Sequence, residues 1–409
     1  MAQVNAPEVI LGAGILGCAL ARELMRRGRR SGDLMVIDPN PVASQATARA
    51  AALLSLARPW QKAHWISLVR RTLAAIDALR DEGFFVPLER CGAVHLAASD
   101  AARAVLADHQ ATALLNDVSC NVAAPCDFAA ELSWLDCAAF DQALWFSQEA
   151  YTDPYLLGSA CENSARQRGA RFVLGEAARL EGQGDRVRVH ALGTAWIPER
   201  VWVAAGAWTN ALLAPLNCCA PFAPVRSQYW ITEITPLAPA GMPIVLAPDL
   251  RLYARRELGA VLFGVREREG AVADPRTLPG DLAGYAFGDG EEATGTLESA
   301  FEPLTRYAPG LVRLGLKHHV SGPSGYSPDG EFALGPLAPW KNLMVLGGCN
   351  GAGIAACAGL AEVAADLAEG CADAELARRF DPNRFGAVDP FSADWQARCL
   401  AARAAKTGG

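Results

Sequence analysis

The sequence predicts an α/β fold in two parts. One is a parallel-sheet, nucleotide-binding domain assembled from separated stretches, and the other is an α+β domain built on a mainly antiparallel sheet. Three observations predict it. The stretch EVILGAGILGCALARELMRRG, residues 8–28, reads as strand, glycine turn and helix. A second unit of the same kind, NLMVLGGCNGAGI, recurs at residues 342–354. Between them, from 221 to about 320, RSQYWITEI, LRLYARRE and GAVLFGVRE alternate as antiparallel strands do.

In the first unit Val9-Ile10-Leu11 forms a short apolar strand, and Leu16, Leu20 and Leu24 stack on one helix face. DLMVIDPN, residues 33–40, is a second buried strand closed by Asp38 and Pro39. The glycines sit in the context that a dinucleotide fingerprint requires, after a strand and opening a helix. Gly12 permits the tight turn, Gly14 lets a pyrophosphate approach the backbone, and Gly17 lets helix and strand pack closely. The free N–H groups of the helix start then face the phosphates. Asp38 lies 21 residues past Gly17, where a carboxylate accepts bonds from a ribose. The domain is therefore Rossmann-type.

Residues 63–81 have helical period, with Ile66, Val69, Leu73, Ile76 and Leu79 on one face. ERCGAVHLAAS turns to strand, a helix follows over roughly 154–168, and short strands cover 186–190 and 195–204, the last stopping at Gly206. After 371 the tail is polar and alanine-rich, with no site signal. The expected nucleotide domain is 1–90, 151–220 and 321–370; the expected substrate domain is 91–150 and 221–320; the tail is 371–409.

Composition narrows the function. Hydrophobic residues make up 51% and charged residues 20%, as in a globular protein with a sizeable core. The net charge of −7, with no basic run, argues against a nucleic-acid partner. No apolar stretch is long enough for a membrane span. The first residues lack the features of an export signal, so a cytoplasmic location is expected. Twelve scattered cysteines without a CxxC, and six histidines, suggest reduced thiols and no metal site.

The fingerprint alone leaves NAD and FAD open. The second glycine loop, Gly347 to Gly353, lies over 300 residues downstream, again between strand and helix. An extended flavin nucleotide needs such a second anchor. Reduced flavin carries negative charge near N1 and O2, which a helix N-terminus beginning around Gly351 would stabilise. This favours FAD, with a packing loop as the alternative.

Here the chain resembles, over nearly its whole length, the FAD-dependent amine and amino-acid oxidoreductases of the D-amino-acid-oxidase/glycine-oxidase superfamily. It is most like the flavin domain of dimethylglycine and sarcosine dehydrogenases. VWVAAGAWTN (201–210), VRSQYWITEI (225–234), LYARRELGAVLFG (252–264), SGPSGYSPDGEFALG (321–335) and NLMVLGGCNGAGI follow that family's motifs in order. Two departures concern the cofactor link and the length. SQATARAAALL places Arg49 where those dehydrogenases carry a flavin-linked histidine, and no cysteine precedes Ser327-Pro328-Asp329-Gly330, so the resemblance implies non-covalent FAD. The chain also ends at 409, too early for the folate-binding half of those dehydrogenases. A third departure is Ser324, which stands where glycine-oxidase-like relatives hold a substrate carboxylate with arginine, leaving Arg255 as the candidate anchor.

The expected cofactor contacts are Gly12, Gly14, Ile15, Leu16 and Gly17, then Asp38, Ser44, Thr47, Arg49 and Ala50. Ala178 and Gly206 follow, then Gly348, Asn350, Gly351, Gly353 and Ile354. Candidate substrate-pocket residues are Tyr229, Tyr253, Arg255, His319 and Tyr326. Tyr229 and Tyr253 could equally be core; Arg255 and Arg256 could both be solvated. His318 and His319 face opposite ways, so at most one points inward, with His319 preferred.

The chemistry implied is hydride transfer from the carbon beside an amine nitrogen to flavin N5, giving an iminium that hydrolyses. The substrate would be a secondary or N-methylated amine or amino acid, with O₂ or another electron acceptor as partner. The alternatives are a flavin-bearing subunit of a multi-subunit dehydrogenase, or a plain NAD dehydrogenase. The oligomeric state is left open.

Overall fold

A strand that is buried at every position must be covered on both faces. In the computed structural model, which describes residues 7–56, 62–267, 270–287 and 290–405, this holds for β1 (Glu8–Leu11). β1 pairs in parallel with β2 (Leu34–Asp38) on one side and β13 (Arg200–Val203) on the other. β9 (Arg171–Leu174), β20 (Leu343–Gly347) and β19 (Ala333–Pro336) complete a six-stranded sheet ordered β19-β20-β13-β1-β2-β9, antiparallel only at β19.

Alternation sends Ile10, Val36 and Trp202 into one core with helices α1 (Ile15–Arg26), α2 (Ala63–Asp81), α4 (Pro154–Gln167) and α8 (Gly353–Glu369). It sends Val9, Met35 and Val201 the other way, onto a small sheet of β10 (Arg179–Gln183), β11 (Arg186–Ala191) and β12 (Thr194–Trp196). The stretch 195–204 is thus two strands rather than one. Pro198, which has no N–H to donate, sits in the break between β12 and β13.

An eight-stranded sheet stands beside this unit, ordered β18-β14-β17-β16-β15-β5-β7-β6. Its strands are β5 (Ala93–Ala97), β6 (Asn121–Ala123), β7 (Gln142–Phe146), β14 (Ala223–Thr232), β15 (Ile244–Ala247), β16 (Leu252–Glu257), β17 (Ala260–Val265) and β18 (Leu316–Tyr326). All neighbours are antiparallel except β15 and β5. β18 runs through residue 320, the expected domain boundary. A second small sheet, β3 (Leu53–Leu54), β8 (Ala150–Thr152) and β4 (Leu88–Glu89), lies between the large ones in the chain.

Two helices fall outside the elements expected from the sequence. These are α3 (Asp100–Leu115), N-capped by the Ser99 hydroxyl, and α6 (Gly290–Tyr307). α5 (Thr209–Leu213) and α7 (Pro309–Val312) are single turns. The tail folds into α9 (Ala374–Phe380) and α10 (Ala393–Ala405). Trp395 and Cys399 of α10 are buried against Ala223, Val225 and Tyr326, which docks α10 on β14 and β18. No helix among the described residues is long and apolar enough to cross a membrane.

Candidate active site

A cavity of about 530 Å³ runs from the C-terminal ends of β1 and β2 to the face of the eight-stranded sheet. At its nucleotide end the three fingerprint glycines divide their work. A Cβ on Gly12 (φ +115°) would lie 2.4 Å from Ala204 O, and one on Gly17 would lie 1.9 Å from Gly12 O. Both positions are closed by the protein's own backbone. A Cβ on Gly14 would meet only Thr47 Oγ1, at 3.4 Å, so this glycine leaves room on the cavity side.

Gly14 N-caps α1 without a side-chain partner, and the Ile15 N–H donates to Thr47 Oγ1 at 3.0 Å. The next first-turn N–H groups, of Leu16 and Gly17, precede any intrahelical bond. Asp38 accepts the Ala13 N–H at 2.7 Å through one oxygen and the Asn40 N–H at 2.7 Å through the other. Burial raises its pKa above the usual carboxylate value, against the pull of those two N–H groups.

Ser44, Thr47, Arg49, Ala50, Ala178 and Gly206 also line the cavity. The Arg49 guanidinium donates to Gln45 O at 3.1 Å and to Leu282 O, and its stem lies against Gly322, where a Cβ would come within 2.9 Å.

The second glycine loop closes the far side. Gly351, Gly353, Ile354 and Asn350 line the cavity. Gly348 does not; its φ of +60° makes the turn beneath. Asn350 (φ +50°) is buried and mainly holds the loop, donating to Glu331 O at 3.0 Å and accepting from the Ser327 N–H at 3.0 Å. α8 starts at Gly353, two residues later than Gly351, with Ala352 as its N-cap and its first turn on the cavity wall. Ser324 Oγ accepts the Gly351 N–H at 3.2 Å, so this serine serves the loop.

Tyr229, Tyr253 and Tyr326 all line the cavity. Tyr253 pairs with Gly264 across β16 and β17, and continuing the β14–β17 register puts Tyr229 on the other side of that glycine. Burial, and then the neighbouring Tyr253, push the Tyr229 hydroxyl well above its ordinary pKa, so it stays protonated.

Two expected pocket residues are elsewhere. His319 pairs with Trp230 while Val320 pairs with Tyr229, so alternation turns His319 to the far face. There it stacks on Trp230 at 5.3 Å and donates to Gln228 Oε1 at 3.0 Å. Burial, with Arg226 nearby, lowers its pKa. Arg255 shares Tyr253's face but not the cavity lining. It donates to Ala51 O at 2.7 Å, pairs with Glu257 at 2.5 Å and lies over the Tyr151 ring at 4.6 Å. It braces the Ala50–Leu53 wall and is not placed to hold a substrate carboxylate.

Ser55, Arg266 and Arg403 are among the lining residues that escaped the sequence. Ser55 donates at 2.7 Å to the fully buried Glu149. Arg266 follows β17, and Arg403 arrives on α10, donating to Arg226 O at 3.1 Å. Arg266 was detectable as the residue two past Gly264 on one strand face. For Arg403 the sequence offers no local signal.

This lining suits an FAD molecule: a glycine cradle open on the cavity side, an acidic acceptor 21 residues on, and a second helix start facing the other end. Comparisons agree. The chain is 25% identical over 358 residues to a 4-methylaminobutanoate oxidase (formaldehyde-forming) from Paenarthrobacter nicotinovorans, covering 85% of this chain and 41% of that protein. It is 25% identical to a glycine oxidase from Pseudomonas aeruginosa, covering 88% of this chain and 94% of the other. An L-proline dehydrogenase from P. horikoshii shares the fold, with a TM-score of 0.79, 19% identity, and coverage of 93% and 98%. The model of the DAO family, described as FAD dependent oxidoreductase, matches residues 9–367, and the chain belongs to that family of FAD-dependent enzymes.

Proposed function

We propose that the protein oxidises a secondary or N-methylated amine or amino acid to an iminium, which hydrolyses to an aldehyde or oxo acid plus an amine. The observation that carries this reading is the meeting, in one cavity, of the α8 start with the Tyr229–Gly264–Tyr253 row. The names of the two curated relatives, both oxidases of amino compounds, support it. FAD, when bound, supplies the acceptor for a hydride from the carbon beside the nitrogen.

The chain's own groups do the rest. The Gly14 side of the first loop and the first-turn N–H groups of α1 hold the diphosphate, and Asp38 accepts ribose hydroxyls. The first turn of α8 places positive partial charge where negative charge develops. Tyr229, a neutral phenol, and Tyr253 wall the reactive end, and Ala50, Ala51, Ala52 and Leu53 line it with apolar surface. A neutral amine is required, because an ammonium has no lone pair to assist. Burial favours the neutral form of the amine.

FAD is held without a covalent bond in this reading, since Arg49 is directed to backbone carbonyls. The test is anaerobic. Sarcosine, dimethylglycine, proline and simple secondary amines are mixed with the yellow protein, the oxidised-flavin absorbance is followed, and air is then admitted. Bleaching by amines supports the reading. Bleaching by 2-hydroxy acids alone sinks it. Acid precipitation should leave the flavin in solution.

A further inference from the structure

We propose that a second cavity, among α1, α2, α4 and α8, binds a small monocarboxylate with an unbranched apolar chain, separately from the FAD cavity.

The cavity follows from helical spacing. Ala19, Arg22, Glu23 and Arg26 lie at i, i+3, i+4 and i+7 on one face of α1, and Arg71, Ala74, Ala75 and Ala78 repeat that spacing on α2. Both stripes line a cavity of about 290 Å³, closed by Leu157 and Cys161 of α4 and by Ala358 and Ala361 of α8. Methyl groups stand where longer side chains would fill the gap between the helices. The space equals that of roughly ten waters in the liquid.

One charged group in the wall has bonding capacity to spare. The Arg22 side chain is only 7% exposed, and its Nη2 donates to Glu82 Oε1 at 2.8 Å. Its Nε is buried without a partner, and its Nη1 makes no bond among the described residues. Unpaired N–H groups on a buried guanidinium are costly until an acceptor reaches them. A carboxylate matches that planar fork.

The lining also sets the charge and shape of the ligand. Its carboxylates are already held: Glu82 by Arg22, Ser164 and Arg168, Glu23 by Arg26 and Arg27, and Glu362 by Arg71 at 3.2 Å. Arg22, Arg26 and Arg71 thus balance Glu23, Glu82 and Glu362, so one added negative charge is tolerated and a dianion is repelled. Arg26 and Arg71 are partly exposed and draw an anion to the mouth. Arg22–Glu82 ends the α2 stripe on one side and Arg71–Glu362 on the other, about 16 Å apart at helical rise. Between them run the alanines, a track for a chain whose head is on Arg22.

The two cavities share helices without sharing residues. Ile15, Leu16, Ile354 and Ala355 line the FAD cavity, and one turn later Ala19 and Ala358 line this one. An occupant that binds only the folded protein therefore stabilises the helices that carry both cofactor loops.

The experiment titrates the FAD-bound full chain by calorimetry with hexanoate, 1-hexanol and inorganic phosphate, and follows Tm and the flavin spectrum. Hexanoate should bind and raise Tm while the flavin spectrum stays unchanged. Hexanol and phosphate should bind at least roughly tenfold more weakly. Arg22→Gln should weaken hexanoate roughly 10- to 100-fold with flavin content unchanged. Ala75→Leu keeps the Arg22–Glu82 pair but fills the cavity, and should abolish binding; it decides the matter should Arg22→Gln fail to fold. No binding of hexanoate by wild type, equal binding of hexanol or phosphate, or full affinity in Ala75→Leu would overturn the proposal. So would a hexanoate-induced change in the flavin spectrum with the same affinity in all three proteins, which places the ligand in the FAD cavity.

Discussion

Tyr253 lies directly over Gly264: a Cβ built on that glycine would stand 2.2 Å from the tyrosine ring. The ring can therefore lie flat across β17 toward Tyr229 only because residue 264 has no side chain. Gly264→Ala forces the ring off the sheet, an overpacking strain of about 1–3 kcal/mol. The expected outcome is a fall in kcat/KM for amine oxidation with unchanged flavin content, measured by steady-state kinetics and by flavin absorbance per chain. Unchanged kinetics would remove the tyrosine row from the site.

The three fingerprint glycines should fail in different ways. Gly17→Ala drives a methyl into Gly12 O, so the folded protein itself should be lost or lowered in Tm. Gly14→Val keeps its backbone in an allowed region, φ −72°, and should fold but bind no FAD. Asp38→Ala should weaken FAD binding by about 1–3 kcal/mol. Thermal melts and flavin titration separate the three.

Arg255→Ala should slow oxidation of carboxylated and uncharged amines by similar factors, because this guanidinium braces Ala51 and Tyr151. An effect confined to amino acids, read from paired proline and pyrrolidine kinetics, would restore Arg255 as a carboxylate anchor.

Acid should strip stability through Glu331. Burial alone would raise this carboxyl, but bonds from His64, Lys62 and Trp65 outweigh it and bring it from 4.5 down to about 2. A folded pKa below the unfolded one stabilises fully above pH 4.5, and that contribution fades as the pH falls toward 2. It amounts to about 3 kcal/mol. Glu331→Gln should flatten the fall in Tm between pH 5 and 2, where wild type drops steeply.

Much of this was legible in the chain because the chemistry is local. Gly12, Gly14, Gly17 and Asp38, set after a strand and opening a helix, point to a nucleotide site, and the period of residues 63–81 gives α2 to the residue. What escaped depends on partners distant in sequence. His319 turns outward because of its register with β14, which the dipeptide His318-His319 does not encode. Arg255 faces the cavity side, as alternation allows, but Ala51 O and Glu257 hold it back. Arg403 reaches the cavity only because Trp395 and Cys399 dock the terminal helix on β14 and β18, a contact visible only once the chain is folded.

The central claim is that the bond broken is the C–H beside an amine nitrogen. It is tested most directly by anaerobic stopped-flow reduction with an amine deuterated at that carbon, using whichever substrate bleaches the flavin. The account predicts several-fold slower bleaching than with the unlabelled amine, and an aldehyde or oxo-acid product formed in step with it. Identical rates together with a product that retains all its deuterium would contradict it.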